Sequence, residues 1–325
     1  MRRREFITLL GSAVATWPLA ARSQQPMLPV IGLLSGTGHN LRQLDDIRQG
    51  LNTSGYVEGR NVSIEYRFAD AQYDRLAPLA ADLVSRQVKL ILTIQGAAAA
   101  LAAKTASATT PIVFSIGGDP VKFGLVTSMN HPGGNATGTT FLVNTLAAKR
   151  LEVLHELVPH AKSVGLLTNP TNPAASVETS DLQKAARTLG LQVYLQNASN
   201  DDEVDAAFNN FVREKIDGLT FAADAFLTTR SHQIIALATQ HAIPTVYFLR
   251  EFADASGLAS YGGHITEAYR LAGGYAGRIL KGEKPTDLPV QQVTRVELVI
   301  NLKTAKALGI SVPLSLLGRA DEVID

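Results

Sequence analysis

The chain predicts an α/β fold of two Rossmann-like lobes, each an open, doubly wound parallel sheet, joined by a hinge that the chain crosses more than once. Three observations carry this. Short apolar runs rich in β-branched residues recur along the chain, amphipathic segments of helical spacing separate them, and the alternation repeats after a break at Pro132-Gly133-Gly134-Asn135. Strand–helix–strand alternation builds βαβ units whose strands lie parallel. At 325 residues there are too many units for one sheet, and two domains of about 150 residues are the natural division.

The first element has the layout of an export signal. Arg3-Arg4-Glu5-Phe6-Ile7 opens an apolar stretch from Ile7 to Val14, and small residues lead to Ala21-Arg22-Ser23 ahead of Gln24. The Arg-Arg-x-Phe-Ile spacing points to the twin-arginine route, and the apolar core falls short of the ~20 residues that span a bilayer. Residues 1–23 are therefore expected to be removed, and the working protein to act in the periplasm.

Four strands are expected next, at Val30–Leu34, Val62–Phe68, Leu90–Ile94 and Ile112–Phe114. Several are apolar at nearly every position, as in strands covered on both faces. Leu41, Leu44, Ile47 and Leu51 recur at helical spacing between the first two. After the break and a helix around 147–157 come Val164–Leu167, Leu191–Leu195, Gly218–Phe221 and Thr245–Phe248. Leu182, Ala185, Ala186 and Leu189 mark a helix, with Asn172-Pro173 as its expected start and Gly190 as its stop. Leu258–Tyr261, a helix carrying Ala268, Leu271, Ala272, Tyr275 and Ile279, the extended stretch Val293–Ile300 and a helix at 302–308 complete the chain. The expected lobes are 28–141 plus 253–285, and 142–252 plus 286–325.

Composition excludes several classes of function. The chain holds 30 Lys+Arg against 29 Asp+Glu; without Arg2, Arg3, Arg4, Arg22 and Glu5 the balance is 26 against 28. No basic field remains for nucleic acid. There is no cysteine, so disulfides, thiolate chemistry and a lipid-modified N-terminal cysteine are impossible. The histidines, at 39, 131, 155, 160, 232, 241 and 264, lack metal-ligand spacing, so no metal is expected. No Walker loop or G-x-S-x-G elbow occurs. Gly36-Thr37-Gly38 lacks the third glycine of a dinucleotide loop, because Leu41 stands there. Neither a cofactor nor a catalytic residue is expected.

Ligands of open α/β sheets sit outside the carboxyl ends of the strands, so two facing lobes would share one cleft. The strand ends nominate Ser35, Thr37, Gln95, Gly96 and Ser115 to Asp119 from lobe one, and Asn169, Ala223, Asp224 and Phe248 from lobe two, with Tyr261 and Gly262 on the returning strand. A helix starting near Ala97 would turn free N–H groups toward a carboxylate. Asp119 and Asp224 suit an ammonium group, and Tyr247, Phe248 and Tyr261 an apolar or aromatic side chain. Tyr247 and Phe248 are adjacent in a strand, so one of them is expected in the core. Asp224 also reads as the N-cap of the next helix, and Asp119-Pro120 as a turn.

Arg48-Gln49-Gly50-Leu51 followed by Gly55-Tyr56-Val57-Glu58-Gly59-Arg60-Asn61-Val62 and Ile64-Glu65-Tyr66-Arg67, Pro111-Ile112-Val113-Phe114 with Asp119-Pro120, Pro132-Gly133-Gly134-Asn135, and Val164-Gly165-Leu166-Leu167 with Asn169-Pro170 are familiar motifs. In order and together they resemble the ABC-transporter substrate-binding proteins of the tryptophan/tyrosine-binding type. The resemblance implies a type 1 periplasmic binding protein, monomeric, that closes two lobes on a small molecule and delivers it to an ABC permease with its cytoplasmic ATPase. It also supports Ser35, Gln95-Gly96, Asp119, Asn169, Asp224 and Tyr261-Gly262 as ligand contacts. One departure stands out: Gly96-Ala97-Ala98 replaces the Gly-Thr-Pro or Gly-Ser-Pro of many members, which removes a hydroxyl available to a carboxylate. The rival readings are an exported ligand-sensing module and an α/β enzyme using Asp119 and Asp224 as acid and base.

Overall fold

The computed structural model describes residues 28–325, so the expected export signal lies outside the described residues. The apolar runs form strands where the spacing places them. In the first half these are β1 (Val30–Ser35), β2 (Ser63–Phe68), β3 (Leu90–Ile94) and β4 (Ile112–Ile116), followed by β5 (Ala136–Thr140). The second half holds β6 (Ser163–Thr168), β7 (Gln192–Asn197), β8 (Leu219–Phe221), β9 (Thr245–Tyr247) and β10 (Ala259–Gly263). Three short or late strands end the chain: β11 (Gln291–Gln292), β12 (Val296–Asn301) and β13 (Glu322–Ile324).

They assemble into a six-stranded sheet, β11-β5-β4-β3-β1-β2, and a seven-stranded sheet, β13-β12-β10-β9-β8-β6-β7. Every pairing is parallel except β10 with β12. The first sheet is buried on both faces. Ile31, Leu33, Leu90, Leu92 and Val113 pack under the helices Leu41–Thr53 and Ile265–Leu280, while Leu34, Ile91 and Phe114 pack on the other face with Leu76, Leu83, Ala99 and Ala103. Burying each such Leu, Ile or Phe contributes about 1.5–3 kcal/mol, which is why these strands read as unbroken apolar runs. The two helices over the first face approach closely because glycines meet there. A Cβ on Gly50 would stand 2.0 Å from the Arg270 carbonyl oxygen, and one on Gly273 2.2 Å from that of Ile47.

Strand pairing differs from the expected lobe boundaries in two stretches. Residues 253–263, expected in lobe one, belong to the second sheet, where β10 pairs with β9 and β12. Residues 286–292, expected in lobe two, return to the first sheet, where β11 pairs with β5. Gly262 and Gly263 let β10 lie this way, since Cβ atoms there would stand 2.1 Å from the Phe248 carbonyl oxygen and 1.9 Å from that of Phe141. The chain thus passes between lobes at residues 141–146, at His264 and at 293–295. These passages are bonded together: His264 N–H donates to the Arg295 carbonyl at 3.0 Å, and Val293 N–H to that of Thr140 at 2.8 Å.

Asn172 does not cap a helix at Pro173. The helix runs Ala175–Thr188, and the Asn172 side chain accepts instead from Ala174 N–H in the turn before it. Gly190 ends the segment in the left-handed region, φ +70°.

Candidate functional site

Residues after β3 and β4 of the first sheet face residues after β6, β8 and β9 of the second across a cleft. Its walls include Gln95, Gly96, Ala97 and Gly117 on one side and Asn172, Ala223, Asp224 and Phe248 on the other. Between them lies a cavity of about 50 Å³. This is room for a few waters.

The first wall is built by an unusual turn. Gln95 and Gly96 have φ of +61° and +112°, and Gly96 is the N-cap of the helix Ala97–Ala106. That geometry aims the helix's free N–H groups and its positive end into the cleft. Gly36 permits it, because a Cβ there would stand 2.4 Å from the Gln95 carbonyl oxygen. The glycines after β1 thus serve close loop packing.

Asp224 organises the opposite wall. Its Oδ1 accepts from Leu227 N–H at 3.0 Å, capping the helix Ala225–Thr229, and from the Asn169 amide at 3.3 Å. Its Oδ2 accepts from the Tyr73 hydroxyl at 2.6 Å, a residue of the other lobe. Burial pushes the Asp224 carboxyl up from its ordinary value, against which the Tyr73, Leu227 and Asn169 donors favour the ionised form. Burial, then the adjoining Asp224 charge, also raise the Tyr73 hydroxyl, which stays a neutral donor.

Beneath this wall lies an ion pair fully removed from solvent. Arg150, 0% exposed, bonds Glu178 Oε1 and donates to the Val143 carbonyl at 2.7 Å. Glu178 Oε2 accepts from the Asn144 amide at 2.8 Å and Ala223 N–H at 3.0 Å. Val143, Asn144 and Ala223 all line the cleft. The pair therefore ties the first interlobe passage and the β8 loop to the helix Ala175–Thr188. Burial pushes the Glu178 carboxyl up, opposed by Arg150 and its other donors.

The structure brings Gln95, Gly96, Asp224 and Phe248 together at the cleft, with Asn169 directly behind Asp224. Ser35 and Thr37 are buried beside one another, Thr37 N–H donating to Ser35 Oγ at 3.2 Å, and do not line the cavity. Ser115 is also withdrawn, its hydroxyl accepting from Thr139 at 2.9 Å inside the sheet. Asp119 stands outside the cavity in a turn, accepting from Val121 and Lys122 N–H. Tyr261 lies on the flank of lobe two in a charged groove with Lys149, Glu152 and Arg319, because its mid-strand position turns it toward the helix Ala147–Leu157. Gly262 is packed on the Phe248 carbonyl and does not itself line the cavity. Of the adjacent aromatic pair, Tyr247 stacks in the core on Phe252 and Phe221, at 4.7 and 5.5 Å, and Phe248 reaches the cleft.

Tyr73, Phe141, Val143, Asn144, Asn172, Thr228 and Ile265 line the cavity without having been singled out. The carboxyl end of β2 for Tyr73, the interlobe passages for Phe141, Val143, Asn144 and Ile265, and the segments after β6 and β8 for Asn172 and Thr228 are the places where they could have been found. Apolar side chains of Phe141, Val143, Phe248, Leu249 and Ile265 supply one part of the wall; Asp224, Tyr73, Gln95 and backbone N–H groups supply the polar part. Among the described residues, no group of three or more His, Asp or Glu suits a metal ion. The arrangement can hold a small molecule with an apolar body, a donor for Asp224 and an acceptor for the helix start.

Comparison with known proteins gives concordant results. A family model described as ABC transporter substrate binding protein matches residues 29–324. A tyrosine-binding protein of Clostridioides difficile (strain R20291) is 29% identical over 269 residues, covering 82% of this chain and 77% of the relative. The crystal structure of the ABC domain in complex with L-Trp from Streptococcus pneumonia superposes with a TM-score of 0.82 at 24% identity, covering 91% of this chain and 100% of that one. The ligand-free, open structure of CD0873, a substrate binding protein with adhesive properties from Clostridium difficile, gives 0.63 at 26% identity, covering 91% and 99%.

Proposed function

The chain belongs to the ABC transporter substrate-binding protein family, and from that premise we propose that it is the periplasmic solute-binding component of an importer, carrying an amino-acid-like ligand to a permease. Family membership makes it a binding protein and not an enzyme. One observation carries the ligand reading: a cleft walled by both sheets sets the buried Asp224 against the N-terminus of the helix Ala97–Ala106, with Phe141 and Phe248 alongside. An α-ammonium group fits the Asp224 carboxylate, an α-carboxylate the backbone N–H groups, and an apolar or aromatic side chain the phenyl rings. The tyrosine and tryptophan of the relatives are ligands of this description.

Binding is a shift between open and closed lobes about the three interlobe passages. The permease then reads the closed shape. The Arg3-Arg4 start supports export to the periplasm by the twin-arginine route; among the described residues no helix is long and apolar enough to cross a membrane.

A thermal-shift screen of the protein from Gln24 tests this, with amino acids, aromatic acids, peptides, nucleosides and sugars, hits being confirmed by calorimetry. An amino acid that raises Tm with micromolar or tighter affinity and returns unchanged supports the reading. A sugar or nucleoside hit, or a converted ligand, overturns it.

A further inference from the structure

Away from the interlobe passages, the side-chain hydrogen bonds that join the two lobes among the described residues are those of Tyr73. Tyr73 opens the short turn Tyr73–Arg75 after β2 in lobe one, and Asp224 follows β8 in lobe two. The hydroxyl donates to Asp224 Oδ2 at 2.6 Å and its oxygen accepts from Ala225 N–H at 3.4 Å. Asp224 is 4% exposed, so this bond is made out of water, where it is strong. Parting the lobes breaks it, yet Asp224 keeps Leu227 N–H and Asn169 and so keeps its orientation.

We propose that Tyr73 is a closure latch, whose bond to Asp224 holds the two lobes together across the cleft. The inference rests on the reading that the lobes open and close about a ligand. The latch and a ligand ammonium group act on Asp224 together, one from lobe one and one from within the cleft.

Tyr73→Phe removes the hydroxyl and keeps the ring. Hydrogen exchange read by mass spectrometry detects rare opening. Exchange should rise about tenfold or more in the variant at cleft segments that Tyr73 does not bond, Gln95–Ala97, Asn172–Ala174 and Phe248–Leu249, with β3 and β8 unchanged. A rise confined to residues 223–228, or none, overturns the latch. Asp224→Asn keeps the helix cap on its one oxygen and turns an NH2 donor to Tyr73 in place of the acceptor, so it should also raise exchange over the same segments; no rise counts against the latch. The chain has no cysteine, so Ala77→Cys with His232→Cys carries a spin-label pair across the lobes without background. Two distances in both proteins with unchanged exchange overturn the latch and leave the opening intact. A single distance in both with unchanged exchange overturns the two together.

Discussion

Glu178→Gln tests whether the buried ion pair shapes the cleft. The substitution keeps size and an acceptor oxygen but removes the charge opposite Arg150. That guanidinium is 0% exposed, so the charge left behind stays buried. Breaking a buried pair by deleting one charge costs about 3–5 kcal/mol. At about 2–4 °C per kcal/mol, Tm should fall by roughly 6–20 °C. Urea melts followed by far-UV circular dichroism give the same quantity. Arg150→Met with Glu178→Leu should recover only part of the loss. The apolar pair removes the stranded charge, but Asn144 and Ala223 N–H lose their acceptor, at about 1–3 kcal/mol for each buried donor left unpaired. If Glu178→Gln melts within about 1 kcal/mol of wild type, the pair is not the strut described here and the positioning of Val143, Asn144 and Ala223 needs another cause.

Gly96→Ala should cost about 1–3 kcal/mol in a thermal melt through backbone conformation alone, since φ +112° and ψ 160° suit glycine and nothing lies within 4 Å of the added Cβ. Burial would raise the Asp217 carboxyl, but Lys162 N–H, Ser163 N–H and the Ser163 hydroxyl at 2.8–2.9 Å hold it below its ordinary value. A depressed carboxylate stabilises above its unfolded pKa of about 3.9 and loses that contribution as pH falls through the folded value. Asp217→Asn should therefore be the less stable protein at neutral pH, with the gap closing below about pH 4 in acid melts. Replacing Arg3-Arg4 by Lys-Lys should leave the precursor in the cytoplasm, as fractionation would show; normal periplasmic accumulation would exclude the twin-arginine route.

Strands buried on both faces were legible because their apolar runs are continuous, as in β1, β3 and β4. β5 was not, because Ala136-Thr137-Gly138-Thr139-Thr140 is buried through hydroxyls bonded inward, to the Leu288 carbonyl, to Ser115 and to the Gly118 carbonyl, and no apolar pattern announces it. Lobe membership of β10 was hidden for a different reason. Its antiparallel partner β12 lies beyond an intervening helix of the other lobe, and chain order alone favours the nearer assignment. At the site, strand-end reasoning found the helix start at Gly96 and the cap at Asp224, both consequences of local backbone chemistry. It missed Tyr73 and the Arg150–Glu178 pair, whose partners come from distant parts of the chain. Tyr261 was misplaced because side-chain alternation, not nearness to the strand end, decides where it points.

The three interlobe passages also set the order in which this molecule can be made. The first sheet is finished only by β11, and its helix Ile265–Leu280 is synthesised after most of the second lobe. The second sheet waits in turn for β12 and β13 near the C-terminus. Domains contiguous in sequence can fold one after another as they leave the ribosome. Here neither half is complete until almost the whole chain has emerged, so the nascent protein carries two unfinished sheets with open edges at the same time. The topology thus leaves both sheets open at an edge until β11, β12 and β13 are made.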